Sequence, residues 1–189
     1  MARYLPEHVT QEDGSICQWT NCWAAVGAWA VRGLTKGVRS PMPTWFRRKA
    51  KAQGCRAGSL GDIVRGLMNM GLWKYRQARY IEDMTQERLR RRLKTRTGVL
   101  VLLETDFEVW PDGKSCQPGF TDRDDAYHMV GAVCGADKQG RVMTMDPLCK
   151  RYRWTKIEDV IRAAVRYNDE HAHEKRGTVD VVLVFPPKI

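Results

Sequence analysis

Residues 20–34, TNCWAAVGAWAVRGL, are rich in alanine and almost wholly apolar, and no other stretch constrains the fold so tightly. A helix that is apolar all round must be covered on every side, so the rest of the chain has to wrap it. Thr20 or Asn21 can cap this helix if it begins late, Cys17 can stand at its head if it begins early, and Gly33 and Gly37 end it. With 189 residues the chain is long enough for one domain with its own core. No apolar run approaches the roughly 18 residues that a membrane span requires. The opening MARYLPEHVTQEDG lacks a basic-then-apolar signal pattern, which leads us to expect synthesis and folding in a cytoplasm.

Further helices are expected over PTWFRRKAKAQ, with Pro43 in its first turn, and over SLGDIVRGLMNMG, where Ser59 and Asp62 form a capping box. The aromatic, alternating piece WKYRQARY reads as a strand, and Thr85 opens a basic helix. From Gly98 the character changes. VLVLLE is a buried strand, and residues 106–124 form a long polar loop. AYHMVGAVCGA and RVMTMDP then make a hairpin around the turn DKQG. KRYRW is read as another strand, Thr155 with Glu158 as a capping box for TKIEDVIRAAVRY, and VDVVLVF as the closing strand. Helices first and an antiparallel sheet afterwards predict a single α+β domain, 1–189, with a helical lobe over about 1–97, a sheet lobe over about 98–189, and a cleft between them.

The net charge of +10 favours polyanionic neighbours in general. Its densest cluster, ERLRRRLKTR, reads as a solvated helix face with Leu89 and Leu93 turned inward. Nothing interleaves aromatics with basic residues as a single-strand-binding surface does, so nucleic acid enters only through nonspecific charge. The cysteines at 17, 22, 55, 116, 134 and 149 form no C-x-x-C pair. Their spacing suggests neither a zinc site nor a small disulfide scaffold, and several are expected to be buried free thiols. The HAH at 171–173 reads as part of a solvated loop rather than a metal site.

Chemistry gathers around one thiol, one imidazole and one carboxylate. The head of a buried helix favours a thiolate, because its unpaired N–H groups and macrodipole attract negative charge. Cys17 and Cys22 are both candidates there. Five residues separate them, about 140° around a helix, so both cannot face one cleft. His128 begins a strand after the long loop and can serve as base, and Asp146 ends the returning strand of the same hairpin, where it can orient the imidazole. Gln11, six residues before Cys17, is a candidate oxyanion donor.

QEDGSICQWTNCWAAVGAW resembles the start of the papain-like bacteriocin-processing (double-glycine leader) peptidases and their relatives in bacteria and phages. Gln11, Cys17, His128 and Asp146-Pro147 match that pattern in order. The resemblance implies a papain-like fold and hydrolysis of a peptide or amide bond through a thioester, with no metal or organic cofactor. A rival alignment sets TNCWAA against the SCWAF-like motif of papain itself, which makes Cys22 the nucleophile with Trp23 behind it; the oxyanion glutamine then falls near position 16, occupied here by Ile16. The first alignment is preferred, although Gln18 and Trp19 stand where the relatives carry a glycine after the thiol.

Two functions are expected from different classes. The leading one is a cysteine peptidase or amidase acting on a peptide or on a peptidoglycan-like cell-wall crosslink. The alternative is a virion structural or assembly protein, a tail or connector component, that keeps the peptidase-like fold with little catalysis. It would contact other virion proteins and be virion-associated.

Overall fold

The computed structural model describes residues 3–11, 14, 20–74, 77–106, 110, 127–171 and 176–189. Three helices come first, α1 (Cys22–Leu34), α2 (Pro43–Lys49) and α3 (Leu60–Asn69). Strand β1 (Ala78–Thr85), helix α4 (Gln86–Lys94) and strands β2 (Leu100–Asp106), β3 (Tyr127–Val133), β4 (Arg141–Met145) and β5 (Arg153–Lys156) follow. Helix α5 (Ile157–His171) and strand β6 (Thr178–Val184) complete an α+β architecture. The strands form one antiparallel sheet in the order β1-β6-β2-β3-β4-β5.

Helix α1 is buried along nearly its whole length, as its composition requires: twelve of its thirteen residues are buried, and only Arg32 reaches partly to the surface. Trp23 and Trp29 lie within it with no exposed surface. Such large rings fit between closely packed elements only where the facing residue is small. Trp29 therefore sits on Gly131 of β3, where a Cβ would come within 2.3 Å of its ring. Trp23 sits on Gly58, where a Cβ would come within 2.4 Å. We expect Gly131→Ala to destabilise the protein by about 1–3 kcal/mol, because neither a helix buried on all sides nor a central strand can retreat freely. Denaturant unfolding checks this, and an unchanged midpoint would contradict it.

The sheet carries a hydrophobic core on each face. Leu100 and Leu102 of β2 pack with α1, α2 and α3, whereas Val101 and Leu103 pack with Leu89 and Leu93 of α4 and Val160, Ile161 and Ala164 of α5. Burial on both faces explains why β2 reads as an uninterrupted apolar run rather than an alternating one. The capping box of α3 is made as expected: Ser59 Oγ accepts from the Asp62 N–H, and Asp62 accepts from the Ser59 N–H. Thr85 likewise accepts from the Arg88 N–H at the head of α4. The turn after β3 is held by Asp137, whose carboxylate accepts from the N–H groups of Gln139 and Arg141.

Three expectations need correction. The strand expected over WKYRQARY begins only at Ala78, because the Lys74 carbonyl accepts from the N–H groups of Gln77 and Ala78 and turns the chain before it can extend. β1 thus lies in the half expected to be helical, paired with the last strand. KRYRW is a strand only from Arg153, where its pairing with Thr144 of β4 begins. Thr155 then falls inside β5, with its hydroxyl 2.8 Å from that of Thr144, and α5 begins beyond it. The cysteines also depart from the free-thiol expectation. Cys22 and Cys134 are free and buried, but Cys55 and Cys149 are disulfide-bonded. Spacing along the chain does not reveal which thiols the fold brings together. Among the described residues, no helix is long and apolar enough to cross a membrane.

Candidate active site

The site is built at the head of α1. Cys22 is the first residue of the helix and Asn21 its N-cap. First-turn N–H groups have no partner inside a helix, so the sulfur stands where negative charge is favoured. Asn21 is buried, and its side chain makes no capping bond; its Oδ1 instead accepts from Arg47 Nη1 of α2 at 3.0 Å. Arg47 also donates to the Thr20 carbonyl and, through Nη2, to the carbonyls of Gly54 and Arg56 at 2.7 and 3.0 Å. Its guanidinium lies 5.3 Å from the Trp23 ring centroid, within range of a cation–π contact. One buried arginine therefore ties the helix head to the loop over residues 50–59.

The imidazole reaches the sulfur from the sheet. His128, 2% exposed, stands at the second position of β3, with Nε2 2.8 Å from Asp146 Oδ1. The Cys22 side chain acts on the same ring and helps to raise its pKa. Since Nε2 faces the carboxylate, Nδ1 is the nitrogen left for the thiol. Asp146 follows β4 and has no exposed surface. Its Oδ1 also accepts from the Leu148 N–H at 2.9 Å, and its Oδ2 accepts from Trp110 Nε1 at 2.8 Å. The backbone carbonyl of Asp146 accepts from His8 Nε2 at 3.0 Å.

Burial alone would penalise both charges, but the pair reverses that penalty. For Asp146 burial pushes upward, yet the His128 charge and hydrogen bond, with the Leu148 and Trp110 donors, hold the carboxyl below its usual range. For His128 burial pushes downward, but Asp146 and the hydrogen bond and charge of Cys22 lift it to about 10. An imidazolium at neutral pH follows. The folded-state value lies above the ordinary 6.5, so the contribution of His128 to stability is complete below that pH and is lost as the pH rises toward 10. We expect the unfolding free energy of the native chain to fall between pH 6.5 and 10 relative to that of a His128→Gln variant. Parallel pH curves in denaturant titrations would contradict it.

Gln11 is buried, its N–H donates to the Pro147 carbonyl at 3.0 Å, and its Oε1 has no hydrogen-bond partner among the described residues. It therefore lies beside the turn that carries Asp146. Cys17, Gln18 and Trp19 lie outside the described residues, as do Cys116 and most of the loop expected over 106–124. Of the candidates drawn from the sequence, the structure hydrogen-bonds His128 to Asp146, brings the Cys22 side chain into interaction with that imidazole, and sets Gln11 next to Pro147. Of the HAH stretch, His171 is described: it stacks on Tyr167, and its Nδ1 donates to the Tyr167 carbonyl, while His173 lies outside the described residues.

Trp110, His8 and Arg47 were not among the sequence candidates. A lone tryptophan in an otherwise polar loop was the available signal for Trp110. Nothing local marks His8 or Arg47, whose roles depend on chain segments far away in sequence. No family model and no curated protein matches the chain.

Proposed function

We propose that the protein is a cysteine hydrolase of papain-like arrangement that cleaves a peptide or amide bond, with Cys22 as nucleophile, His128 as general base and acid, and Asp146 as the positioning carboxylate. The observation that carries this reading is the buried His128–Asp146 pair, acted on by the side chain of Cys22 at a helix head. Among the described residues, Cys22 is the thiol that acts on the imidazole whose Nε2 is held by Asp146. This favours Cys22 over Cys17, and with it the papain alignment of TNCWAA.

In the forward step the Cys22 proton resides on His128, and the thiolate attacks the carbonyl carbon. The developing oxyanion is assigned to the Cys22 backbone N–H, with Gln11 as the candidate second donor. The imidazolium returns its proton to the leaving amine as the C–N bond breaks, leaving a thioester. A water that gives its proton to His128 then attacks the thioester, releases the acid and restores the thiol. One water is consumed per bond cut. Asp146 stays ionised throughout and holds the ring in the tautomer that presents Nδ1.

Alkylation with iodoacetamide tests this directly, because Cys134 provides an internal control. Burial pushes the Cys134 thiol up to about 12, against the smaller pull of Arg92 and Thr97, so it should be inert near neutral pH. Selective carboxamidomethylation of Cys22 that is lost in His128→Ala is the expected result. Equal labelling of Cys22 and Cys134, or labelling indifferent to His128, would remove the assignment.

The disulfide-bonded Cys55 and Cys149 bear on where the protein works. Such bonds persist in oxidising surroundings and are rare in a reducing cytoplasm. The working location we propose is therefore outside that compartment, in a secreted or virion-borne setting. Peptide mapping of the native protein, alkylated before any reduction, should leave Cys55 and Cys149 unmodified.

A further inference from the structure

Residues 14–61 contain eight lysines and arginines and no aspartate or glutamate. Part of that one-sided charge is delivered to the edge of the site. Arg47 holds the carbonyls of Gly54 and Arg56 with the same guanidinium that holds Asn21 beside Cys22. From the opposite side the Tyr127 hydroxyl, one residue from His128, donates to the Gly58 carbonyl. The Trp23 ring, one residue from Cys22, rests on Gly58. The loop over 54–58 is thus fastened to the neighbours of both the nucleophile and the base.

Arg56 projects outward from this loop with a side chain 55% exposed, and Arg65 of α3 stands beside it with a side chain 52% exposed. Both guanidinium groups meet the same oxygen, Asp62 Oδ1, at 3.1 and 2.9 Å. The other oxygen, Asp62 Oδ2, accepts from the Ser59 N–H in the capping box. Two cations therefore share one carboxylate and leave one positive charge over. Glu104, which accepts from the Leu60 N–H at 3.0 Å, adds little to the balance, because burial lifts its carboxyl to about 7. The arginine ends of these pairs are half-exposed while Asp62 is buried, so an incoming carboxylate can engage one arginine fork while the other arginine and the Ser59 N–H keep Asp62 partnered.

We propose that this site, read as the cysteine-hydrolase site above, selects acidic peptide segments, with Arg56 and Arg65 receiving a substrate carboxylate beside the bond to be cut. Because the charges sit at a solvated rim, the preference is modest and depends on salt.

Peptidyl fluoromethyl ketones that differ only in carrying glutamate, glutamine or lysine, at either of the two residues before the reactive ketone, test the proposal. The readout is the rate of Cys22 modification followed by mass spectrometry on the full chain. At one of the two positions the glutamate probe should react roughly fivefold to tenfold faster than the glutamine probe, with the lysine probe slowest. The glutamate advantage should shrink at about 1 M salt, where screening acts within about 3 Å, and should collapse in Arg56→Gln and in Arg65→Gln. Equal rates for glutamate and glutamine probes that all modify Cys22 would overturn the selectivity and leave the hydrolase reading standing. Failure of every probe to modify Cys22 would overturn both. If one arginine variant does not fold, the other variant and the salt series decide. Should single-stranded DNA slow the neutral probe while acidic peptides do not, polyanion binding replaces the acidic-peptide reading.

Discussion

Replacing Cys22 by alanine is expected to lower hydrolysis of a mixed peptide and amide substrate pool by at least about 10³-fold, since it removes the proposed nucleophile. Cys22→Ser should be nearly as severe, because a hydroxyl gives up its proton to the same base far less readily than a thiol. The informative comparison is with Cys17→Ala. Both cysteines are candidates at the head of the apolar helix, and among the described residues it is Cys22 that acts on the His128 ring. If Cys17→Ala silences the protein while Cys22→Ala leaves it active, the assignment of the nucleophile fails. Both variants should melt close to the native chain, so loss of activity can be separated from loss of fold.

The second large effect concerns Asp146. Its carboxylate is the acceptor for His128 Nε2, Trp110 Nε1 and the Leu148 N–H. Asp146→Ala removes all three bonds at once and leaves a buried imidazole without its counter-charge. Breaking one side of a buried ion pair costs about 3–5 kcal/mol, a large share of the stability of a single domain. Equilibrium urea unfolding at pH 7 measures this, and a loss below about 1 kcal/mol would show that the carboxylate holds little together. Asp146→Asn keeps an acceptor for Trp110 and should lose less stability. Its amide can present an N–H to His128, which favours the wrong tautomer, so its hydrolysis rate should fall well out of proportion to its stability.

How far the fold could be read in advance depended on how local its causes are. The apolar helix, the Ser59–Asp62 capping box, the Thr85 cap and the Asp137 turn are set by neighbours in sequence, and each stands where its residues place it. β1 starts later than its composition suggests because a turn at Lys74 uses backbone groups that a strand would use, and β5 starts only where Arg153 pairs with Thr144 of β4. The choice between two cysteines five residues apart depended on where α1 begins, which composition leaves open. Asn21 stands at its N-cap, but its side chain answers to Arg47 from another helix, a partner that no local pattern announces. His128 and Asp146 were legible for a simpler reason: a hairpin brings them back beside each other, and its turn is short and well marked. Trp110, by contrast, reaches Asp146 from 36 positions away, and the disulfide-bonded state of Cys55 and Cys149 is a matter of tertiary proximity.

The seating of Trp23 on Gly58 and of Trp29 on Gly131 bears on how such a protein could change its diet. Two indoles clamped against backbone make the sulfur's position a joint property of a helix, a loop and a strand, so drift in any one of them is resisted by the other two. Variation that alters what is cut, yet keeps the cut possible, has to come from side chains that leave this clamp untouched. Arg56 and Arg65 project into solvent from the neighbouring loop and helix and meet that condition. A directed-evolution library randomised at 56 and 65 should therefore yield many folded variants with shifted preferences, whereas one randomised at 23, 29, 58 and 131 should yield mostly protein that does not fold.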